Sequence, residues 1–300
     1  MNLKQSLGQA RRLLTSNHIE DASLEAELLL RHTVKISRAE LYMEFNCELS
    51  PEHEAAYWHL IKRRLKGEPS AYITRHREFY GLDFYVDPSV LIPRPESELL
   101  VEKAINLAQN QTIVTIAEVG TGCGAIAISL ALNLPTAEIY ATDISASALK
   151  VTLSNCQRHG VIDRICLRQG DMLDPLPEPV DIIIANLPYV KEAELARTGS
   201  LSFEPPLALN GGTDGLEKIY KLCQQVSGKL KHQGSLLLEI GQGQRQPTVA
   251  FLRRFFPSAQ IGVIPDLGGI ERVVSLRLTE NHPDAKIAMV LPGLKSISHE

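Results

Sequence analysis

Asn186, Leu187, Pro188 and Tyr189 follow, after Ala185, on a mostly apolar run, residues 180–184. An amide at the mouth of a buried strand is a candidate hydrogen-bond acceptor for a reacting group. If that group is a planar nitrogen, as in a carboxamide or an adenine amino group, its lone pair is delocalised and weakly nucleophilic. Two acceptors taking its two N–H groups can turn the lone pair toward an electrophile and stabilise the charge that develops. The Asn186 side-chain oxygen is one such acceptor, and the Leu187 carbonyl, fixed by the rigid Pro188 after it, is the second. Tyr189 offers a π face for a planar group. Asn186, Pro188 and Tyr189 are therefore the expected catalytic residues, and residues 186–189 together the expected substrate site. The blander reading is a turn that ends a buried strand, capped by its own Asn side chain.

A second constellation bears on that choice. The run Glu118-Val119-Gly120-Thr121-Gly122-Cys123-Gly124 lies between a strand pattern and a helix pattern. Its glycines allow a sharp turn and a close approach of backbone to ligand. The spacing also satisfies a dinucleotide fingerprint, and such turns occur with no ligand at all, so the glycines alone decide little. Three acids sharpen them: Glu118, Asp143 and Asp171 each end a successive strand pattern. One of these alone is more often a solvated or capping carboxylate than a ligand contact. Three at the same edge of an open α/β sheet line the crevice where such sheets bind ligands, with the second placed to chelate ribose hydroxyls. A pyrophosphate would be repelled by Glu118, whereas a ligand with a ribose, an adenine and an ammonium group suits all three. S-adenosylmethionine fits this description better than NAD, and its sulfonium methyl group is the electrophile the amide chemistry needs.

The elements that must position these residues are legible around them. From residue 112 onward strands and helices alternate, with near-continuously apolar strands, which predicts a parallel sheet covered on both faces. The last two strand patterns are separated only by residues 267–271, too few for a parallel crossover, so they should form an antiparallel hairpin at the sheet edge. Residues 1–75 read as helices: Leu3, Leu7, Ala10 and Leu14 share a face, a second helix follows a cap expected at Asp21, and Ser50-Pro51 opens another that aligns Tyr57, Leu60, Ile61 and Leu65. These form an expected recognition module. Residues 76–93 read as a hairpin linker turning around Gly81-Leu82-Asp83, a helix begins near Glu96, residues 94–280 form the catalytic domain, and residues 281–300 a loose tail.

Composition sets the outer limits. Hydrophobic content of 44% and charged content of 22% are ordinary for a globular chain of 300 residues. No apolar run approaches the roughly 18 residues of a membrane helix, and the N-terminus lacks a secretion signal, so no membrane association and a cytoplasmic location are expected. Five scattered cysteines without a CxxC suit reduced thiols, and no histidine cluster suggests a metal. A net charge of −4 argues against stable nucleic-acid binding. The one dense basic cluster, Lys62, Arg63, Arg64 and Lys66, reads most simply as a solvated helix face.

Several segments resemble the protein-(glutamine-N5) methyltransferases that modify peptide chain release factors: residues 67–102, 118–131, 186–190, 203–220, 236–244 and 265–274. The first is far more specific than the glycines. The resemblance implies a seven-stranded, Rossmann-like S-adenosylmethionine-dependent methyltransferase sheet with an antiparallel last strand, preceded by a small helical domain. It implies methylation of the glutamine in the Gly-Gly-Gln loop of class I release factors, with S-adenosylhomocysteine as the product. Carried onto this chain, the cofactor contacts are Gly120, Thr121, Gly122, Cys123, Gly124, Asp143, Asp171, Met172 and Asn186, and the substrate amide lies at residues 186–189; Glu118, from its place at the strand end, and Ile144 complete the expected cofactor set. Pro93-Arg94-Pro95-Glu96, with Glu98, resembles the release-factor branch and not the branch that methylates a ribosomal protein. Two positions depart from the family pattern: Leu187 replaces a Pro, and Arg75 stands where Gly is usual. The Asn-Leu-Pro-Tyr form is shared with ribosomal RNA adenine-N6 dimethyltransferases, which leaves adenine as an alternative substrate. Those enzymes carry their helical part after the catalytic domain and are basic; here it comes first and the pI is near 6.2.

Overall fold

The computed structural model describes residues 1–109, 114–195 and 200–279, so the expected tail at 281–300 and the first residues of the strand pattern at 112 lie outside the described residues. The chain opens with five helices, α1 (Leu3–Ser16), α2 (Ala22–Val34), α3 (Arg38–Met43), α4 (Pro51–Leu65) and α5 (Ser70–Thr74). Asn2 and Gln5 form a reciprocal capping box at the start of α1, and Ser50 accepts from the His53 N–H at the start of α4. Asp21 caps nothing: it occupies the left-handed region at φ 51 and its carboxylate makes no cap bond to α2. Tyr57 and Ile61 are fully buried at the centre of the helical cluster, and the Tyr57 hydroxyl donates to the Ala26 carbonyl at 3.0 Å. Leu60 and Leu65 pack at its margin.

The helix α5 joins two cores. Its Ile73 is buried with Leu14, Leu30 and Ile61 of the helical cluster, whereas Ala71 and Tyr72 are buried in the core beneath the sheet. Directly after it comes a hairpin, β1 (His76–Phe79) and β2 (Leu82–Tyr85), paired antiparallel with Phe79 opposite Leu82. The turn is therefore Tyr80-Gly81, one position earlier than the sequence suggested. Both residues have positive φ, 53° and 70°, the conformation that matches strand twist in two-residue hairpins. A short 3₁₀ turn at Pro95–Ser97 precedes α6 (Glu98–Ala108), so the regular helix starts two residues after the expected Glu96.

Beyond it run β3 (Thr115–Val119), α7 (Ala125–Asn133), β4 (Glu138–Asp143), α8 (Ala146–Arg158), β5 (Ile165–Gln169) and β6 (Val180–Ala185). Then follow short helices α9 (Glu192–Leu195) and α10 (Pro206–Leu209), α11 (Glu217–Val226), β7 (Leu230–Glu239), α12 (Arg245–Phe255), β8 (Gln260–Pro265) and β9 (Glu271–Arg277). The seven strands form one sheet in the order β5-β4-β3-β6-β7-β9-β8. The first five lie parallel, and β9 runs antiparallel to both of its neighbours. The closing hairpin is as the short connection required, but its last strand is inserted next to β7 and leaves β8 at the edge. Side chains alternate between two buried faces: Ile116, Ile182, Ile184 and Leu237 meet α6 and α7, while Ala117, Ile183, Leu236 and Leu238 meet α11 and α12. This double cover is why strands β3 and β6 read as almost unbroken apolar runs. Among the described residues no helix is long and apolar enough to cross a membrane. Strand order reverses beside β3, between β4 and β6, and the crevice at that point is where the chemistry-bearing residues collect.

Candidate active site

The glycine-rich loop leaves β3 and is anchored at once, because the N–H groups of Gly120 and Thr121 both donate to the Thr142 carbonyl on β4. Its three glycines serve different ends. Gly122 has φ 58 and open space where a Cβ would stand, on a wall of the crevice. A Cβ on Gly124 would come within 2.7 Å of the Thr152 side chain, so that glycine permits α7 to pack closely on α8. The loop is also tied to the hairpin: the buried Asn155 side chain donates to the carbonyls of Cys123 and Tyr85 and accepts from the Tyr85 N–H. Asp143 accepts from the Gly122 and Ser145 N–H groups, one on each carboxylate oxygen, which leaves further lone pairs facing the crevice. Burial, the largest influence, raises its pKa. Asp171 forms an ion pair with Lys221, and Met172 beside it is left-handed at φ 50.

Glu118 behaves differently from the other two acids. It is only 2% exposed, and one carboxylate oxygen accepts from the Thr121 hydroxyl at 2.6 Å and from the Ala127 N–H at 3.0 Å. In that position it caps the N-terminus of α7. Burial in this pocket pushes its pKa up to about 8.

The turn after β6 is held on every side. Val190 donates to the Leu209 carbonyl and accepts from the Gly211 N–H, and the Gln244 amide donates to the Tyr189 carbonyl at 3.1 Å. A Cβ on Gly211 would lie 2.7 Å from the Tyr189 Cα, so that glycine lets the two chains touch. The segments at 203–220 and 236–244 therefore clamp the turn. Glu204, 4% exposed, reaches back across the crevice to accept from the Ile92 N–H and to pair with Arg94. The Asn186 side-chain NH₂ donates to the Ser97 hydroxyl at 2.9 Å, and Ser97 donates to the Glu239 carboxylate at 2.6 Å. The Tyr189 hydroxyl lies in the electrostatic neighbourhood of the same carboxylate. Burial raises the pKa of Glu239 to about 7 and that of Tyr189 to about 12.

Two cavities meet at this point. The larger, about 230 Å³, is lined by Gly120, Gly122, Asp143, Ile144, Asp171, Met172, Asn186, Leu187 and Pro188 together with Val90, Leu207 and Lys218. The smaller, about 50 Å³, is lined by Phe79, Pro93, Arg94, Ser97, Glu118, Thr121 and Cys123. Leu91, Gly120, Gly122 and Asn186 form the wall common to both. Of the residues singled out in the sequence, Gly124 and Tyr189 line neither cavity, the first at a helix contact and the second turned to Glu239. Sequence reasoning missed Ser97, Glu204 and Glu239. The signal for Glu239 was available, since it interrupts the apolar run 236–240 in the way Glu118 interrupts 116–119.

Two family models match the chain, described as PrmC N-terminal domain over residues 5–74 and methyltransferase small domain over residues 95–201. A release factor glutamine methyltransferase of Moorella thermoacetica is 41% identical over 91% of this chain and 97% of its own length. One from Bordetella pertussis is 41% identical over 83% and 93%, and one from Bacillus anthracis 30% identical over 91% and 98%. Among solved structures, the hMettl16 catalytic domain superposes with a TM-score of 0.55 at 16% identity, covering 67% of this chain and 77% of that one. A methyltransferase from Pyrococcus furiosus gives 0.50 at 17% identity, covering 67% and 90%; at such identities the likeness is one of fold. Relatedness at this level extends through the helical segment and the sheet together, and the chain belongs to the release factor glutamine methyltransferase family.

Proposed function

We propose that the protein transfers a methyl group from S-adenosylmethionine to the side-chain amide nitrogen of the glutamine in the Gly-Gly-Gln loop of class I peptide chain release factors, in the cytoplasm and without stable contact to nucleic acid. The observation that carries the reading is the position of Asn186, on the wall shared by a large cavity and a small one. A donor on one side and an acceptor on the other would meet at that residue.

The larger cavity fits the donor by the chemistry of its walls. Asp143 presents carboxylate lone pairs suited to a ribose diol, and Gly122 leaves room for a ligand where any other side chain would stand. Ile144, Met172 and Leu187 supply apolar surface for a base, and Asp171 and Gly120 complete the wall. When bound, S-adenosylmethionine supplies an electrophilic methyl group. Glu118, Thr121, Cys123 and Gly124 support this loop from behind, with Glu118 holding α7 against it.

The residues 186–189 then act on the substrate amide. Asn186 Oδ1 accepts one substrate N–H, and the Leu187 carbonyl accepts the other, which turns the nitrogen lone pair toward the shared wall. Both acceptors stabilise the positive charge that grows on nitrogen, and no strong base is required because the nitrogen becomes acidic only as its new bond forms. Pro188 and Tyr189 hold the turn. The helical segment 1–75 serves as the recognition module. Incubation of the protein with labelled S-adenosylmethionine, a release factor and ribosomal RNA tests the reading. A glutamine one methyl group heavier in the Gly-Gly-Gln loop is the expected product, and label confined to the RNA would replace it with adenine methylation.

A further inference from the structure

We infer that Ser97 and Glu239 are positioning residues that fix which end of the Asn186 amide faces the substrate. This rests on the proposed role of Asn186. A carboxamide has an accepting oxygen and a donating NH₂ of nearly equal size, and rotation by half a turn exchanges them. An Asn turned the wrong way would present two donors to a substrate that also offers donors. Something must set the orientation, and the described surroundings contain a chain of bonds able to do so.

An ionised carboxylate can only accept. Glu239 therefore takes the Ser97 hydroxyl hydrogen, and the Ser97 oxygen is left to accept from Asn186. That fixes Asn186 Nδ2 on the Ser97 side and leaves Oδ1 for the shared wall. Tyr189, on the other flank of the turn, is close enough to the same carboxylate to feel its charge. The three members come from separate elements, the 3₁₀ turn before α6, the end of β6 and the end of β7, which the sheet brings together. The charged groups facing Glu239 are Arg272 from β9, which favours ionisation, and Glu96 beside Ser97, which opposes it. Glu98, at the start of α6, is engaged elsewhere by the Tyr80 N–H.

Protonation of Glu239 allows the polarity of the chain to reverse. With its new proton directed at Ser97, the acid becomes a donor, the Ser97 hydrogen is freed toward Asn186, and the amide is then held with its oxygen inward. Its pKa near 7 puts this reversal within the working range. Turnover should thus be present with Glu239 ionised and fall as pH is lowered through about 7.

The test has two readouts on the full-length protein. In the first, the Asn186 side-chain ¹⁵NH₂ resonances, assigned by their loss in Asn186→Ala, are followed from about pH 5.5 to 8.5 without substrate or donor. They should shift with a midpoint near 7 in the wild type and in Ser97→Thr, and stay flat in Ser97→Ala and Glu239→Gln. A wild-type titration that survives unchanged in Ser97→Ala would overturn the inference. In the second, kcat should fall about tenfold in Ser97→Ala, less than the loss from removing an acceptor outright, and return in Ser97→Thr. Donor affinity by calorimetry should be unchanged. Equal kcat for wild type and Ser97→Ala also overturns it. If the wild type methylates no release factor while the resonances titrate as described, the proposed function fails and the orientation device stands.

Discussion

On the proposed reading Asn186 accepts a hydrogen bond from the substrate at a fixed point, and its replacement measures that. Asn186→Ala should lower kcat by about 10²–10³-fold while donor affinity by calorimetry stays near that of the wild type. Near-normal turnover would remove it from the mechanism. Glu118 makes a separate prediction about stability. Its pKa rises from 4.5 to about 8 on folding, so between those values the native state holds a proton that the unfolded chain has released. Stability must then fall as pH rises across that window, and Glu239 adds to the slope up to about 7. Thermal unfolding at pH 5, 6, 7 and 8 should show a shallower decline for Glu118→Gln than for the wild type; parallel curves would mean that Glu118 is ionised throughout. Glu239 is the more awkward case, because folding favours its acid form and the proposed orientation of Asn186 needs its carboxylate. Residues at this scale were legible where a strand pattern ended in a polar group, as at Asp143 and Asn186. Ser97 was not, because a serine inside a Pro-rich turn has no sequence signature that separates a buried relay from a cap.

Elements were more legible than their joints. Periodicity located the strands and the closing hairpin, since an apolar run and a short connection leave few geometries. Turn positions failed by one or two residues, at Tyr80-Gly81 and at the start of α6, because the deciding quantity was a left-handed backbone and not side-chain polarity. Arg75 shows the same physics. It ends α5 at φ 60 and ψ 32, in the left-handed region, which explains why Gly is usual at this point in the family it resembles. Its side chain is half exposed, so the ion pair to Asp87 at 3.9 Å offsets little. A side chain costs about 1–2 kcal/mol in this conformation, and part of that is returned by the greater freedom of Gly in the unfolded chain. Arg75→Gly should therefore raise stability by about 0.5 kcal/mol in urea unfolding, and a loss of 1 kcal/mol or more would show that the arginine holds the joint by contacts.

At the scale of the molecule, the alternation from residue 112 onward carried the fold class, while the way the helical segment meets the sheet was hidden. Five residues decide it. Ile73 is 5% exposed in one core and Tyr72 1% exposed in the other, with the Tyr72 hydroxyl donating to the Val90 carbonyl at 2.6 Å on the wall of the larger cavity. Ile73→Ala should destabilise the helical cluster by about 2–4 kcal/mol. It should also speed amide hydrogen exchange at Val90 and Ile92, which are buried in the core beneath the sheet; unchanged exchange there would mean that the two cores open independently. A five-residue helix shared in this way acts as a splice. If exchange shows the two cores opening as one, a protease or a denaturant that loosens the N-terminal helices would loosen the wall of the larger cavity in the same event.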